Sequence, residues 1–224
     1  MIRLENVSKS YEKGVPALND VSLHIKPGEF VFVTGPSGSG KSTLMKLLLH
    51  EFTPTSGKIF VNGKDIANIR HKGVPFYRRN IGVVFQDFRL LPDRNVFENV
   101  AFAMKVIEAP KKEIKDKVSH VLATVGLASK YRSYPRQLSG GEQQRVAIAR
   151  AIVNVPKIIL ADEPTGNLDI NNAREIMRLL DEINKGGTTV LVVTHNLDIV
   201  HSMNKRVISI KNGCLVSDVA PEEE

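Results

Sequence analysis

The chain contains 224 residues, 42% of them apolar, which suits one large α/β domain or a core that carries an inserted subdomain. No run approaches roughly 18 consecutive apolar residues, so we expect no segment to span a membrane. The formal net charge is +7, and all of the excess lies within residues 1–112, which hold 17 Lys and Arg against 10 Asp and Glu. Such a basic half fits an anionic membrane surface or a solvated face. Nucleic acid is the least favoured partner and we expect none, because no base-stacking aromatic pattern accompanies the basic residues.

Apolar periodicity and turn-forming residues predict alternating strands and helices, which indicates an α/β fold class. Strands are predicted at residues 2–7, 17–26, 29–34, 57–62, 81–85, 158–161, 188–193, 207–210 and 215–216. Helices are predicted at residues 44–50, 75–79, 95–107, 111–125, from 139 onwards, and 171–184. A turn is expected at residues 12–16 and a frayed acidic tail at residues 220–224. The adjacent helices at 95–107 and 111–125 indicate a small helical insertion into the α/β core.

Residues 35–43 read G-P-S-G-S-G-K-S-T and match the phosphate-loop pattern G-x-x-x-x-G-K-[ST] without a mismatch. They lie between a predicted buried strand and a predicted helix, which is the context that this motif requires. Gly35, Gly38 and Gly40 allow the backbone to approach phosphate oxygens, and the start of a helix favours an anion. The loop therefore predicts binding of a nucleoside triphosphate, but not what the protein does with it.

The side chains of this loop have separate expected roles. Lys41 should reach the β- and γ-phosphates, Ser42 should ligate Mg²⁺, and Thr43 should donate a hydrogen bond to a phosphate. The whole loop forms the set of triphosphate-binding candidates, namely Gly35, Pro36, Ser37, Gly38, Ser39, Gly40, Lys41, Ser42 and Thr43.

The heptad L-S-G-G-E-Q-Q at residues 138–144 marks the start of a predicted helix. Ser139 and Glu142 have the spacing of an S-x-x-E capping box, which is a common signal by itself. The two glycines after Ser139 expose backbone N–H groups at a helix start, so they form a possible second phosphate site. The complete heptad is far more specific than the capping box.

Two acidic residues, Asp162 and Glu163, follow the apolar run at residues 158–161, which is typical of a central parallel strand. Ligands of open α/β sheets bind outside the carboxyl ends of such strands. We therefore expect Asp162 to hold Mg²⁺ through its waters and Glu163 to act as general base toward an attacking water. The pattern is completed by Pro164, Gly166 and Asp169, which argues against an ordinary surface turn.

Three single residues have roles that the local sequence leaves open. Tyr11 ends the first strand, and its ring can stack on a base or simply close the strand. His195 follows a predicted strand and therefore lies beside the same crevice, although a lone His is usually structural. The lone Cys214 cannot form an internal disulfide, which favours a reducing compartment.

Together these motifs resemble those of the ATP-binding cassette (ABC) ATPases, and the resemblance extends from Met1 to about Ser217. It implies one ABC ATPase domain over residues 1–224. The implied architecture is a RecA-like P-loop core, an antiparallel β subdomain, and an α-helical subdomain inserted at about residues 87–150. Since no family element is missing, we expect a competent ATPase that uses ATP and Mg²⁺.

The resemblance also implies residue roles. Tyr11 would stack on adenine, and Gln86 would sense the γ-phosphate, help bind the metal with Ser42 and Asp162, and touch a membrane partner. Glu163 would be the catalytic base and His195 the γ-phosphate switch. Two segments would act across a dimer interface: the signature residues Leu138, Ser139, Gly140, Gly141, Glu142 and Gln143, and the loop residues Asn167, Leu168 and Asp169.

The implied mechanism is a homodimer in which two head-to-tail copies enclose two ATP molecules. The cassette would lie on the cytoplasmic face of the membrane, bound peripherally to an integral membrane partner. Residues 74–87, 90–101 and 138–154 most resemble the cell-division branch of the family. That branch implies signalling to cell-wall hydrolases. The alternative is the ATPase subunit of a lipoprotein-release or macrolide-type exporter.

Overall fold

Strands and helices alternate along the computed structural model, which describes residues 1–11 and 14–221. The strands in this part of the chain are β1 (Ile2–Ser10), β2 (Pro16–Ile25), β3 (Phe30–Thr34), β4 (Ser56–Val61), β5 (Lys64–Asp65), β6 (Ile81–Phe85), β7 (Ile158–Asp162), β8 (Thr189–Val193), β9 (Arg206–Lys211) and β10 (Cys214–Val219). The α-helices are α1 (Lys41–Leu48), α2 (Val74–Arg78), α3 (Val96–Val106), α4 (Lys111–Thr124), α5 (Gly140–Ile152), α6 (Ile170–Lys185) and α7 (Leu197–Ser202). Parts of the predicted turn at 12–16 and of the predicted tail at 220–224 lie outside the described residues.

Two sheets form the framework. The larger has the strand order β10-β9-β3-β8-β7-β6, in which every neighbouring pair is parallel except β9 with β10. The smaller is antiparallel, in the order β2-β1-β4-β5. This arrangement confirms the predicted α/β class with a P-loop core and an antiparallel β part.

The central strands alternate their side chains between two apolar cores, because successive residues of a strand point to opposite faces. In β3, Phe30 and Phe32 belong to the core shared with α3–α6, whereas Val31 and Val33 belong to the core shared with α1 and the small sheet. All five residues of β3 are buried. A sheet covered on both faces accounts for strands that are continuous apolar runs rather than alternating ones.

Most predicted elements appear within one to three residues of their observed bounds, and α1 is displaced at both ends. The apolar pattern predicted a helix at 44–50, but α1 starts at Lys41 and ends at Leu48. Gly40, with a φ of 112°, directly precedes the helix. Its left-handed conformation changes the direction of the backbone, and the helix begins at the next residue. The first turn is formed by polar residues that the apolar pattern could not include. The two-residue strand β5 and the six-residue helix α7 were not predicted, since both are too short to show a period.

Helices α3 and α4 pack on α5, and α5 also contacts β6 and α6. One continuous apolar core includes Val100 of α3 and Val118 of α4 together with Ile159 of the central strand β7. The helical segment therefore shares its core with the sheet. Its description as an inserted subdomain at about 87–150 stays a prediction.

Candidate nucleotide-binding and hydrolysis site

The candidate residues converge because four parallel strands end at one edge of the large sheet. The phosphate loop follows β3, Gln86 follows β6, Asp162 ends β7, and His195 comes two residues after β8. Parallel strands place their carboxyl ends at the same edge, where ligands of this sheet class bind. The topology therefore brings four segments from distant parts of the sequence to one place.

Glycine is required in the phosphate loop by close backbone contacts. A Cβ added to Gly40 would lie 2.4 Å from the Ala17 carbonyl oxygen, at a φ of +112°. Gly38 also has a positive φ, +74°, but a Cβ there would meet nothing within 4 Å. The carbonyl of Ser39 is held by the backbone N–H of Gly213, at 3.0 Å, in the turn between β9 and β10. The loop is thus fixed at its base and open at its tip.

Lys41 folds over the loop that would receive the phosphates. Its Nζ donates to the carbonyl oxygens of Gly35 and Pro36 at 2.7 Å and 2.9 Å. The hydroxyl of Ser39 is buried, and among the described residues it has no hydrogen-bond partner. A buried hydroxyl normally has a hydrogen-bond partner, so the Ser39 hydroxyl can still hydrogen-bond a ligand. An ammonium group and an unpartnered hydroxyl beside exposed N–H groups fit a triphosphate.

Tyr11 lies next to the loop through its hydroxyl, which is 3.1 Å from Thr43 Oγ1. Its ring is 52% exposed and contacts the ring of Phe52 edge-on, with centroids 5.3 Å apart. The Nζ atoms of Lys9 and Lys46 lie 5.4 Å and 5.7 Å from the Phe52 centroid. Phe52 is not among the predicted site residues, because nothing in the local pattern distinguishes it from an ordinary apolar side chain.

Glu163 is held in an unusual backbone conformation beside His195. Its φ is 47°, in the left-handed region, and its N–H donates to the Val193 carbonyl at 2.9 Å. Glu163 Oε1 lies 2.8 Å from His195 Nδ1, and the His195 N–H donates to Oε2 at 3.4 Å. Strained backbone of this kind often accompanies function. The structure thus joins the two residues that were predicted separately as base and switch.

Asp162, the last residue of β7, has a half-buried carboxyl group. Burial, and secondly the charge of Glu163, raise the pKa of the Asp162 carboxyl, while Lys41 acts against them. A divalent cation would favour the ionised carboxylate. Within residues 1–11 and 14–221 no three His, Cys, Asp or Glu side chains form an all-protein metal site. Mg²⁺ does not need one, because it is usually held by one or two carboxylates and by substrate phosphates. The carboxylate of Asp162 and the hydroxyl of Ser42 therefore fit this ion.

Gln86 is paired with the segment that was predicted to cross a dimer interface. Its Nε2 donates to Asn167 Oδ1 at 3.2 Å, and Asn167 Nδ2 donates back to the Gln86 carbonyl at 3.0 Å. Gly166 allows this approach, because a Cβ there would lie 2.8 Å from Gln86 Nε2. The two amides connect the end of β6 with the loop after β7.

The signature segment forms the capping box that its sequence predicted. The hydroxyl of Ser139 accepts from the Glu142 N–H at 3.2 Å, and Glu142 Oε2 accepts from the Ser139 N–H at 2.8 Å. The second of these bonds is the main cause that lowers the pKa of Glu142. Gln143 donates to the Leu138 carbonyl at 3.2 Å. Among the described residues, none of these signature bonds reaches the phosphate loop of the same chain.

The start of α5 is packed closely against the segment after β7. A Cβ on Gly140 would lie 3.2 Å from Leu168, and one on Gly141 would lie 2.1 Å from Asn172 Oδ1. Asp169 accepts from the N–H groups of Asn171 and Asn172, both at 3.0 Å, and so caps α6. These bonds lower the pKa of the Asp169 carboxyl, the bond from Asn172 most of all. Close packing here explains why the heptad has glycines at both positions.

Gln144 is a further residue of the site that sequence reasoning did not assign. Its side chain is fully buried, and its Nε2 donates to the Pro164 carbonyl at 2.6 Å. Only its place as the last residue of the heptad could have indicated a role.

The comparisons with known proteins agree with this geometry. The profile of the family described as "ABC transporter" matches residues 18–166. The chain belongs to the ABC transporter family. It is therefore an ATPase of the ABC type that binds ATP.

Characterised relatives match nearly the entire chain. It is 56% identical to the cell division ATP-binding protein FtsE of Bacillus subtilis, over 97% of this chain and 96% of that protein. It is 48% identical to the protein of the same name from Escherichia coli K12, over 99% of this chain and 100% of that protein. The chain thus belongs with the FtsE proteins within the ABC family.

Solved ABC cassettes share the fold of this chain over at least 98% of its length. One is a dimer of the cassette MJ0796 in a post-hydrolysis state with ADP and Pi, with a TM-score of 0.88, 37% identity and full coverage of both chains. Another is cbiO1 from Clostridium perfringens, part of the ABC transporter complex cbiONQ, with a TM-score of 0.92 and 34% identity. That match covers 98% of this chain and 88% of the other. In the described part of this chain, no helix has both the length and the apolarity to cross a bilayer.

Proposed function

We propose that this chain is the ATP-binding subunit of a bacterial cell-division complex. ATP binding and hydrolysis close and open a homodimer, and this movement is passed to an integral membrane partner, FtsX. The cassette is bound peripherally at the cytoplasmic face of the membrane. The pair signals to cell-wall hydrolases and does not transport a substrate.

The level of identity over the full length supports this proposal above all. The chain is 48–56% identical to FtsE proteins of two distant bacteria, but 34–37% identical to the MJ0796 and cbiO1 cassettes. An exporter ATPase would share the same nucleotide site, so the site alone does not separate the two functions. The identity to FtsE proteins across the whole chain is therefore the observation that favours cell division over the alternative of lipoprotein release or macrolide export.

The proposed homodimer follows from the content of one chain, which has one phosphate loop and one signature segment. Two solved structures of one similar cassette, MJ0796, are dimers. In a head-to-tail pair, residues 139–141 of one copy face residues 35–43 of the other. The first turn of α5 then presents backbone N–H groups to the triphosphate, where a helix N-terminus favours an anion.

Each side chain has a proposed part in hydrolysis. Lys41 exchanges its bonds to loop carbonyls for the β- and γ-phosphates, and Tyr11 stacks on adenine. Glu163 accepts a proton from the attacking water, while His195 holds the Glu163 carboxylate in place and then contacts the γ-phosphate. Ser42, Asp162 and Gln86 would hold Mg²⁺. When bound, this ion neutralises charge on the phosphate oxygens.

A groove beside Gln86 is the proposed contact for the membrane partner. It has a volume of about 640 Å³, and its lining includes Phe85 of β6, Leu91, and Phe102 and Val106 of α3. Phe102 is 48% exposed and Val106 is 59% exposed. Apolar side chains that remain exposed together mark interaction surfaces. A partner bound here would sense the position of the Gln86 segment.

The proposal is tested by a pull-down from native membranes with tagged Glu163→Gln protein, ATP and Mg²⁺. Phe102→Ala in the same background should release the partner. Val216→Ala, which alters a similarly exposed residue on β10, is the matched control and should retain it.

Each result of this pull-down has a distinct meaning. An integral membrane protein of the FtsX kind, recovered with division factors and lost with Phe102→Ala, supports the proposal. A transport permease would assign the chain to export instead. A clean ATP-dependent homodimer with no membrane protein would end the membrane role and leave the ATPase intact.

A further inference from the structure

The loop after Gln86 has an unusual backbone conformation. Phe88 and Arg89 are consecutive residues other than glycine with positive φ, 58° and 48°. A side chain with a Cβ disfavours the left-handed region, so two adjacent residues there need support from their surroundings. Because Gln86 is two residues away, whatever supports this loop also fixes the backbone on the C-terminal side of Gln86.

Arg150, in the last turn of α5, provides this support. Its Nη1 donates to the Arg89 carbonyl at 2.6 Å, and its Nη2 donates to the Phe88 carbonyl at 2.9 Å. One planar guanidinium therefore holds both left-handed residues in a fixed relative position. The ammonium of a lysine lacks this rigid fork of donors.

The surroundings of Arg150 show that its guanidinium holds backbone rather than pairing with an acid. None of the ion pairs between described residues includes it. Burial lowers its pKa. A half-buried guanidinium without a carboxylate needs other acceptors for its N–H groups. The two carbonyls of the loop are those acceptors.

The same helix also reaches the N-terminal side of Gln86. Gln144, one residue past the first turn of α5, lies with its Nε2 3.4 Å from the Phe85 carbonyl and donates more closely to Pro164. Side chains of α5 thus contact the backbone both before and after Gln86. Since α5 begins with the signature segment, one rigid element joins that segment to Gln86.

We infer that Arg150 is a positioning residue for Gln86, and that it acts by holding the two left-handed carbonyls of the following loop. In this position the Gln86 amide stays paired with Asn167 at the hydrolysis edge. The inference rests on the proposed function and deepens it. It assigns to the signature helix a direct mechanical connection with the residue that senses the γ-phosphate in the same chain.

The test uses glycine to replace the support that Arg150 gives. Glycine adopts a positive φ without strain. In a Phe88→Gly, Arg89→Gly background the loop should therefore keep its left-handed conformation with less support from the Arg150 guanidinium. We expect Arg150→Gln to lower kcat for ATP about tenfold or more and to change KM less than about threefold. The glycine background should restore a large part of the lost kcat. Arg178→Gln, an exposed arginine on α6, is the matched control and should keep the wild-type kcat.

Amide hydrogen exchange gives a readout besides activity. Residues 86–94 should exchange faster in Arg150→Gln, while α5 keeps its protection. If Arg150→Gln does not fold, Arg150→Lys is measured in the same way, because it retains the charge and most of the stem.

Several results would overturn the inference. One is a folded Arg150→Gln protein that keeps the wild-type kcat. Another is a folded Arg150→Gln protein whose residues 86–94 exchange their amide hydrogens at the wild-type rate. The third is a loss of kcat that the glycine background does not restore. Failure of both Arg150 variants to fold in both backgrounds would show a purely structural arginine. A wild-type protein that does not hydrolyse ATP would instead refute the proposed function.

Discussion

Glu163 and His195 form a hydrogen-bonded pair, with Oε1 2.8 Å from Nδ1. The Glu163 side chain is 17% exposed, whereas the His195 side chain is 72% exposed. The glutamate is therefore held inside the crevice by a histidine that faces outward. If Glu163 is the general base, His195 orients it and can also reach a γ-phosphate from the solvent side.

Glu163→Gln should keep ATP binding and lose turnover, because the amide preserves the shape but accepts no proton. We expect kcat to fall about 10²- to 10⁴-fold, the usual contribution of a general base. Binding of a fluorescent ATP analogue should stay near wild type, and light scattering should show an ATP-dependent dimer. Glu182→Gln, an exposed glutamate on α6, is the control. A variant that stays monomeric at saturating ATP would contradict the proposed homodimer.

His195→Ala should lower kcat, and its effect should nearly vanish in a Glu163→Gln background. Residues that act as one unit have strongly non-additive effects, so a double-mutant cycle detects the pair. The measurement is kcat for the two single variants and the double variant. His201→Ala, on the exposed side of α7, should leave kcat unchanged. Two independent, multiplying effects would show that the contact has no catalytic role.

Sequence patterns predicted the sheet and the position of the site because both depend on local features. Apolar runs indicated β6 and β7, and the residues after them lie at the edge where parallel strands end. The pairing of Gln86 with Asn167 could not be predicted, since 81 residues separate them and two polar amides have no characteristic spacing. The bonds of Arg150 to carbonyls were equally inaccessible, because any residue type can supply a carbonyl.

The two glycines of the phosphate loop should respond differently to alanine. A Cβ on Gly40 meets the Ala17 carbonyl at 2.4 Å, so Gly40→Ala combines a clash with left-handed strain. We expect it to lower the free energy of unfolding by about 3 kcal/mol or more. Gly38→Ala meets no atom within 4 Å, so only the strain of about 1–2 kcal/mol remains. Urea denaturation measures both. Equal losses would show that the contact with Ala17 is relieved by movement of the loop.

Lys41→Ala should remove most of the affinity for ATP while the protein stays folded. Among the described residues, the Lys41 ammonium donates to two part-buried carbonyls of its own loop, at the edge of the open loop tip, so we expect water to replace it there. A charge-assisted bond to phosphate contributes more than a neutral one, about 1.5–3 kcal/mol, which corresponds to at least a tenfold rise in Kd. Equilibrium binding of a fluorescent ATP analogue measures this change. Lys112→Ala, an exposed lysine on α4, is the control, and equal affinity of both variants would refute the expected role of Lys41.

Asp162→Asn should make the protein without ATP more stable at pH 7 and also abolish hydrolysis. Burial raises the Asp162 pKa, so the folded state binds the proton more tightly than the unfolded chain, and ionisation destabilises the fold. This cost is absent well below the unfolded pKa of about 3.9 and is complete above the higher folded pKa. The stability advantage of Asp162→Asn should therefore disappear as the pH falls toward about 3.

Asp218→Asn is the control with the opposite sign. Asp218 accepts two hydrogen bonds of 2.7 Å from Arg206. These bonds are the main reason that the pKa of the Asp218 carboxyl is lowered. A lowered folded pKa stabilises the protein above the unfolded pKa, so Asp218→Asn should be less stable than wild type at pH 7. Its deficit should also disappear in acid. Urea denaturation from pH 3 to pH 7 measures both variants. A loss of stability for Asp162→Asn at pH 7 would contradict the expectation that the ionised, half-buried Asp162 carboxylate destabilises the fold.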